Sequence, residues 1–211
     1  MTAHVLLKEE FLLSGFLSKQ RTSFLRDGPP SLAARKADLL KLKSAVLARR
    51  QAIEQALNAD FGNRSVYETR IMELIPIIQT INYLRRNLKK WMRPEKRRVA
   101  VHFLPGQSHV VYQPLGVVGI ISPWNYPLSL ALMPLATALA AGNRVMLKPS
   151  ELTPATSAFL KQMLRDLFPE EQVAVVTGGP DVGATFASLP FDHLAFTGST
   201  TVGRSRARKV C

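Results

Sequence analysis

The sequence predicts an α/β fold, a doubly wound parallel sheet preceded by helices and a β-hairpin. Three observations carry this. Residues 115–151 read as a buried strand, a polar turn, a helix, a second strand and a charged turn, the βαβ unit of parallel sheets. Residues 153–203 continue the alternation of helix and strand, which argues right-handed crossovers within one sheet. Residues 31–91 carry apolar side chains at helical rather than strand spacing.

Taken in order, residues 1–30 are poorly patterned and end in the break Gly28-Pro29-Pro30, an expected entry loop. Ser31 is an N-cap for an amphipathic helix over 31–59, with Leu32, Leu39, Leu42, Val46, Ile53 and Leu57 on its apolar face and Gly62 as its stop. A second helix is expected over 66–91, with Ile71, Leu74, Ile75, Ile78, Ile81 and Leu88 turned inward and Pro76 bending it. Pro94 ends that helix. Alternation over 98–103 and 109–113 around Pro105-Gly106 then predicts a hairpin, either packed on its own domain or projecting from it.

The core follows: strands over 117–121 and 144–148 flank a helix over 128–141. A helix over 153–168 starts at Thr153 as N-cap with Pro154 at its first position. A strand over 173–176, a short helix over 181–189 and a strand over 193–196 complete the alternation.

Composition is that of an ordinary globular domain, 46% hydrophobic and 20% charged, except for a net charge of +13. Basic residues gather at 85–98 and 204–209, as on a solvated helix end and an aberrant tail. Neither an aromatic single-strand platform nor a recognition-helix signature accompanies them, so no nucleic-acid partner is expected. The hydrophobic stretch 115–141 is split by Pro123, Asn125 and Pro127, and its second part falls short of a membrane span. The lone cysteine, Cys211, permits no internal disulfide, and no secretory leader is recognised, so a cytoplasmic protein is expected. No metal-ligating set is read.

Ligands of open α/β sheets sit beyond the carboxyl ends of the strands, which directs attention to 122–126, 148–151 and 197–199. Gly198 to Gly203 places glycine and small hydroxyl residues where a strand meets a helix, a tight turn or a seat for an anion such as pyrophosphate. Lys148 and Glu151 form either a solvated ion pair or a pair able to engage ribose hydroxyls. Asn125, between two prolines, is common turn chemistry, and its amide is equally suited to stabilise an oxyanion.

The motifs PWNYP at 123–127, KPSE at 148–151 and FTGSTTVG at 196–203 resemble the aldehyde dehydrogenase superfamily in order and spacing. The flanking ADFGNRS, LGVVGIISPWNYP and PFDHLAFTGST are most similar to its coniferyl aldehyde dehydrogenase branch. The resemblance implies a Rossmann-like NAD-binding core over 115–203, a helical segment over 1–93 packed on it, and an oligomerisation hairpin over 94–114. A homodimer or homotetramer follows for the full-length form, with a small aldehyde as substrate, oxidised to the acid. Ile121, Ser122, Pro123, Trp124, Lys148, Ser150, Glu151, Gly179, Phe196, Gly198, Ser199 and Val202 would then line the cofactor, and Asn125 would serve catalysis. Glu151 disfavours a 2′-phosphate, so NAD is expected over NADP. The family's nucleophilic cysteine and its general-base glutamate follow the FTGST turn, and neither motif occurs here. Cys211, 12 positions beyond Ser199 and without matching neighbours, is rejected as the nucleophile. The expectation is therefore a truncated chain that at most binds NAD, its tail over 204–211 aberrant and one sheet face and the hairpin uncovered.

Overall fold

A computed structural model describes residues 3–207. Four parallel strands form the central sheet in the order β5-β4-β3-β6: β3 (Val117–Ile121), β4 (Arg144–Lys148), β5 (Val173–Val175) and β6 (His193–Phe196). Val117 lies beside Arg144, and Val118 beside His193, so β3 is central and parallel to both neighbours. Alternate residues of these strands enter separate cores. Val118, Ile120, Val145, Leu147 and Val173 face one, and Val117, Met146 and Ala174 face the other. Burial on both faces explains why the strands read as continuous apolar runs.

Helices α6 (Ser129–Ala141) and α7 (Pro154–Leu167) connect successive strands over the first face. There α2 (Leu32–Ala48), α3 (Arg50–Phe61) and α5 (Ile75–Trp91) pack onto them. Helix α8 (Pro180–Ser188) crosses on the opposite face, which brings β6 back beside β3. That second face is also covered by α1 (Ala3–Asp27), through Leu13 and Leu17. The unpatterned N-terminus is thus a long helix, and the sheet face expected to lie bare is packed. Gln20, fully buried on α1, donates to the carbonyls of Val145 and Glu170 and ties the helix down.

Other expectations need correction. The helix over 31–59 is two helices, α2 and α3, meeting at Arg49. Ser31 does cap α2, accepting from Ala34 N–H, and Gly62 ends α3 at φ +79°. The helix over 66–91 opens with α4 (Val66–Glu68), widens into a π-helical turn over Thr69–Leu74, and continues as α5. The extra residue per turn rotates the apolar face, so Ile71 and Ile75 are exposed while Ile77 and Leu84 are buried beside Ile81 and Leu88. Pro76, expected to bend the helix, directly follows the π-helical turn, at the point where the helix changes its winding. The hairpin pairs β1 (Glu95–Arg97) with β2 (Ser108–Val110), three residues a side, and the expected strand over 98–103 contains a 3₁₀ turn instead. Both strands are exposed, as are Val101, Phe103 and Leu104. Beyond β6, residues Thr200–Ala207 form α9, so the expected aberrant tail begins inside a helix.

No helix among the described residues is long and apolar enough to cross a membrane.

Candidate active site

The strand order places a topological switch point between β3 and β6. From β3 the chain steps outward to β4 and β5, then returns across the other face to β6. Such a crevice, at the carboxyl ends of the strands, is where open α/β sheets bind ligands. The strand ends are laced together: Ser122 N–H donates to Lys148 O at 3.2 Å, and Thr197 N–H to Ile121 O at 3.1 Å. Ser122 is buried, Ile121, Pro123 and Phe196 are half-buried, and Trp124, Gly198, Ser199 and Val202 face outward.

Past β4, the buried Lys148 ammonium donates to Glu151 Oε2 at 3.0 Å and to Pro149 O at 3.1 Å. Lys148 is only 3% exposed, which separates this pair from an ordinary surface ion pair; Glu151 is the partner that reaches solvent. Ser150 is buried and accepts from Leu152 N–H on its hydroxyl. Ser150, Glu151, Pro154, Lys161, Gly178 and Gly179 line a cleft of about 450 Å³. At Gly198, a Cβ would lie 2.6 Å from the Phe196 ring, so only glycine lets the turn fold over that side chain.

Four helices begin along this edge of the sheet, and the N-termini of two, α6 and α7, receive a remote carboxylate from within. Helix α7 receives the Asp60 carboxylate: Ala155 N–H donates to Oδ1 at 2.9 Å and Thr156 N–H to Oδ2 at 2.7 Å. Thr153, the expected cap, makes no capping bond, and its buried hydroxyl has no partner. Helix α6 receives Glu73: Leu128 and Ser129 N–H donate to Oε2 at 3.0 and 2.7 Å. Helix α8 starts at Gly179 with no side-chain cap bond and with Asp181 in its first turn, and at α9 the Ser199 hydroxyl lies 3.4 Å from Val202 N–H. Backbone N–H groups at a helix start favour an anion, as Asp60 at α7 and Glu73 at α6 illustrate.

Asn125 does not line the Glu151 cleft. It opens on a second one, of about 510 Å³, with Phe61, Asn63, Arg64, Glu68, Trp124 and Tyr126. Its backbone carbonyl accepts from Arg64 Nη1 at 3.1 Å, leaving the exposed carboxamide directed by the loop. The Arg64 guanidinium stacks over Phe61 and Tyr126, 4.6 and 5.1 Å from the ring centres, and approaches Glu73 Oε1 at 3.4 Å. Burial raises the Glu73 carboxyl above the usual glutamate range, against the opposing pull of the Ser129 amide and Arg64. Asp60, Arg64 and Glu73 escape sequence reading as site residues. The available signal for Glu73 was a lone acid in register with buried Thr69 and Ile77, four residues to either side. Cys211 lies outside the described residues.

Fold and site together define an open α/β protein of the dinucleotide-binding architecture, with its ligand loops at a β3–β6 switch point. The chain matches the aldehyde dehydrogenase family over residues 29–210 and belongs to it. It is 49% identical, over 192 residues, to a probable coniferyl aldehyde dehydrogenase of Pseudomonas aeruginosa, a match covering 91% of this chain and 40% of that protein. Among solved structures it resembles a substrate-bound AldH of Staphylococcus aureus (TM-score 0.88, 30% identity, 93% of this chain and 43% of the other). It also resembles a Mycobacterium tuberculosis aldehyde dehydrogenase complexed with NAD+ (TM-score 0.80, 31% identity, 92% and 40%). The chain thus spans about 40% of the length of the relatives it matches.

Proposed function

We propose that these residues supply the cofactor-binding part of an NAD-dependent aldehyde dehydrogenase acting on an aromatic aldehyde of the coniferyl aldehyde kind. One observation carries the reading: the buried Lys148 paired with Glu151 lies past β4 on the same sheet edge as the Gly198-Ser199 turn past β6, beside the switch point. The ammonium and carboxylate suit the two hydroxyls of an adenosine ribose, with Ser150 and Gly179 shaping the cleft beside them. Gly198 and Ser199 suit the pyrophosphate, with the Phe196 ring packed against the turn and Ile121, Ser122, Pro123, Trp124 and Val202 proposed as further cofactor contacts. Glu151 repels a 2′-phosphate, which favours NAD over NADP.

When bound, the dinucleotide supplies a hydride acceptor. The part played by this chain is to place it and to offer the Asn125 amide N–H₂ to the oxyanion that forms as a thiolate adds to the carbonyl. The thiolate and the water-activating carboxylate are not among the residues assigned here. We therefore expect the 211-residue chain to bind NAD without turning over an aldehyde. The exposed hairpin, with Val101, Phe103 and Leu104 at its apolar end, is proposed as the arm of a dimer or tetramer.

Calorimetric titration of the 211-residue chain with NAD and NADP tests the cofactor reading. Saturable NAD binding that weakens in Glu151→Ala and in Gly198→Val supports it; the absence of any dinucleotide binding by the folded chain overturns it.

A further inference from the structure

Side chains from one remote stretch of chain, residues 61–73, hydrogen-bond to or stack against the 123–128 loop. Glu73 is fully buried, on the π-helical turn over Thr69–Leu74. One of its oxygens takes two backbone N–H groups at the start of α6, just after the loop. Its other oxygen faces Arg64, whose side chain is 4% exposed and whose Nη1 holds the Asn125 carbonyl. Neither Glu73 Oε1 nor Arg64 Nη2 makes a hydrogen bond, so their 3.4 Å approach is an electrostatic clamp rather than a directed bond. Glu68 adds a second, more exposed carboxylate 3.5 Å from Arg64. Phe61 completes the support, with Arg64 on its ring and Trp124 at 6.4 Å.

We propose that Arg64 and Glu73 are positioning residues for Asn125: Glu73 anchors the far end of its loop to α6, and Arg64 fixes its backbone carbonyl, so that together they aim its side-chain amide. The proposal rests on the reading of Asn125 as the oxyanion donor for its purpose, though not for its geometry. A side chain on a loop is a poor donor unless the backbone beneath it is held, because a displacement of about 1 Å can cost about 100-fold in rate. Here that backbone is held by charge-assisted bonds, among the strongest available to a loop. The π-helical turn has a use in this arrangement. Within this wider turn Thr69, Glu73 and Leu74 are turned inward together.

The test is nuclear magnetic resonance of the 211-residue chain, with the Asn125 side-chain amide pair assigned by its loss in Asn125→Asp. Glu73→Gln and Arg64→Met should each move and broaden that pair. Both should also speed deuterium exchange at Leu128 and Ser129 by about 10-fold or more, while exchange in β5 stays unchanged. Arg64→Lys, which keeps the charge, should recover part of the wild-type amide signal. An Asn125 pair unmoved in both variants overturns the proposal. So does an equal disturbance in a remote core variant such as Ile81→Val, which would mark the effect as general loosening. If Glu73→Gln fails to fold, Arg64→Met and Arg64→Lys decide the matter. Failure to bind NAD in the separate titration would sink the cofactor reading and leave these resonances as they are.

Discussion

Asp60 accepts the backbone N–H of Thr156 at 2.7 Å, from a helix 96 residues earlier in the chain. With Ala155 donating to the other oxygen, the carboxylate does for α7 what the adjacent Thr153 hydroxyl does not. Asp60→Ala should destabilise the protein by about 1–2 kcal/mol, the usual worth of a lost helix cap. Thr153→Val, which removes a buried hydroxyl with no partner, should be neutral or slightly stabilising. Urea denaturation of both variants checks this; the reverse ranking would return the cap to Thr153.

The second prediction concerns cofactor choice. Glu151 stands 3.0 Å from the buried Lys148 ammonium and is the member of the pair open to solvent. Glu151→Gln should narrow the preference for NAD over NADP, since it removes repulsion of a 2′-phosphate and keeps a hydrogen-bonding amide. Dissociation constants for both cofactors decide it, and a uniform loss for the two would remove charge repulsion as the cause.

Glu73 should leave a signature in stability against pH. Its burial holds the carboxyl above the ordinary glutamate range, so the folded state binds that proton more tightly than the unfolded chain does. The resulting contribution is fully present below the unfolded value of about 4.3 and is lost as pH rises through the folded value. Wild type should thus lose stability relative to Glu73→Gln as pH climbs through the window just above the ordinary glutamate range. Denaturant midpoints measured across that window supply the check. A difference of opposite slope would mean that Arg64 and the α6 amides outweigh desolvation.

Helix α1 is expected to be integral to the fold. Leu13 is 1% exposed between α1 and the second sheet face, and Leu13→Ala should cost about 2–5 kcal/mol. An exposed neighbour on the same helix, Phe11, gives the control: Phe11→Ala should change little. Thermal melts of the two variants suffice.

The 211-residue chain should produce no NADH from an aromatic aldehyde, whether or not it binds NAD. A thiol at Cys211 would still have to be placed against a carbonyl held by Asn125 before it could act as the nucleophile. Absorbance of NADH for the chain and its Cys211→Ser variant is the assay. Turnover lost on that substitution would reinstate Cys211 as the nucleophile.

Much of this architecture is written locally in the sequence. Strands β3, β4 and β6 fall on the residues expected: β3 and β4 are short apolar runs buried along nearly their whole length, β6 is a half-buried edge strand, and each is closed by glycine, proline or small polar residues. Helix α1 was hidden because its inward row mixes Leu13 and Leu17 with the buried Gln20, while Phe11, Leu12 and Leu25 point outward. The shift of register along α4 and α5 was equally hidden, since a π-helical turn leaves no compositional mark and moves Ile71 and Ile75 to the surface. At the site, the residues proposed to touch a ligand sit in contiguous motifs, which is the kind of signal a sequence can carry. Their supports, Asp60, Arg64 and Glu73, act across 55 to 96 residues, a distance that periodicity and spacing do not register.

Glu73 and Asp60 carry one more implication, for the order in which the protein comes into being. Translation runs from the N-terminus, so both carboxylates leave the ribosome before α6 and α7 exist. Each helix therefore emerges toward an acceptor already waiting for its first amides. The loops that precede them, 122–127 and 149–153, can settle only once helices made much earlier have docked. The carboxyl edge of the sheet therefore depends on residues synthesised well before it.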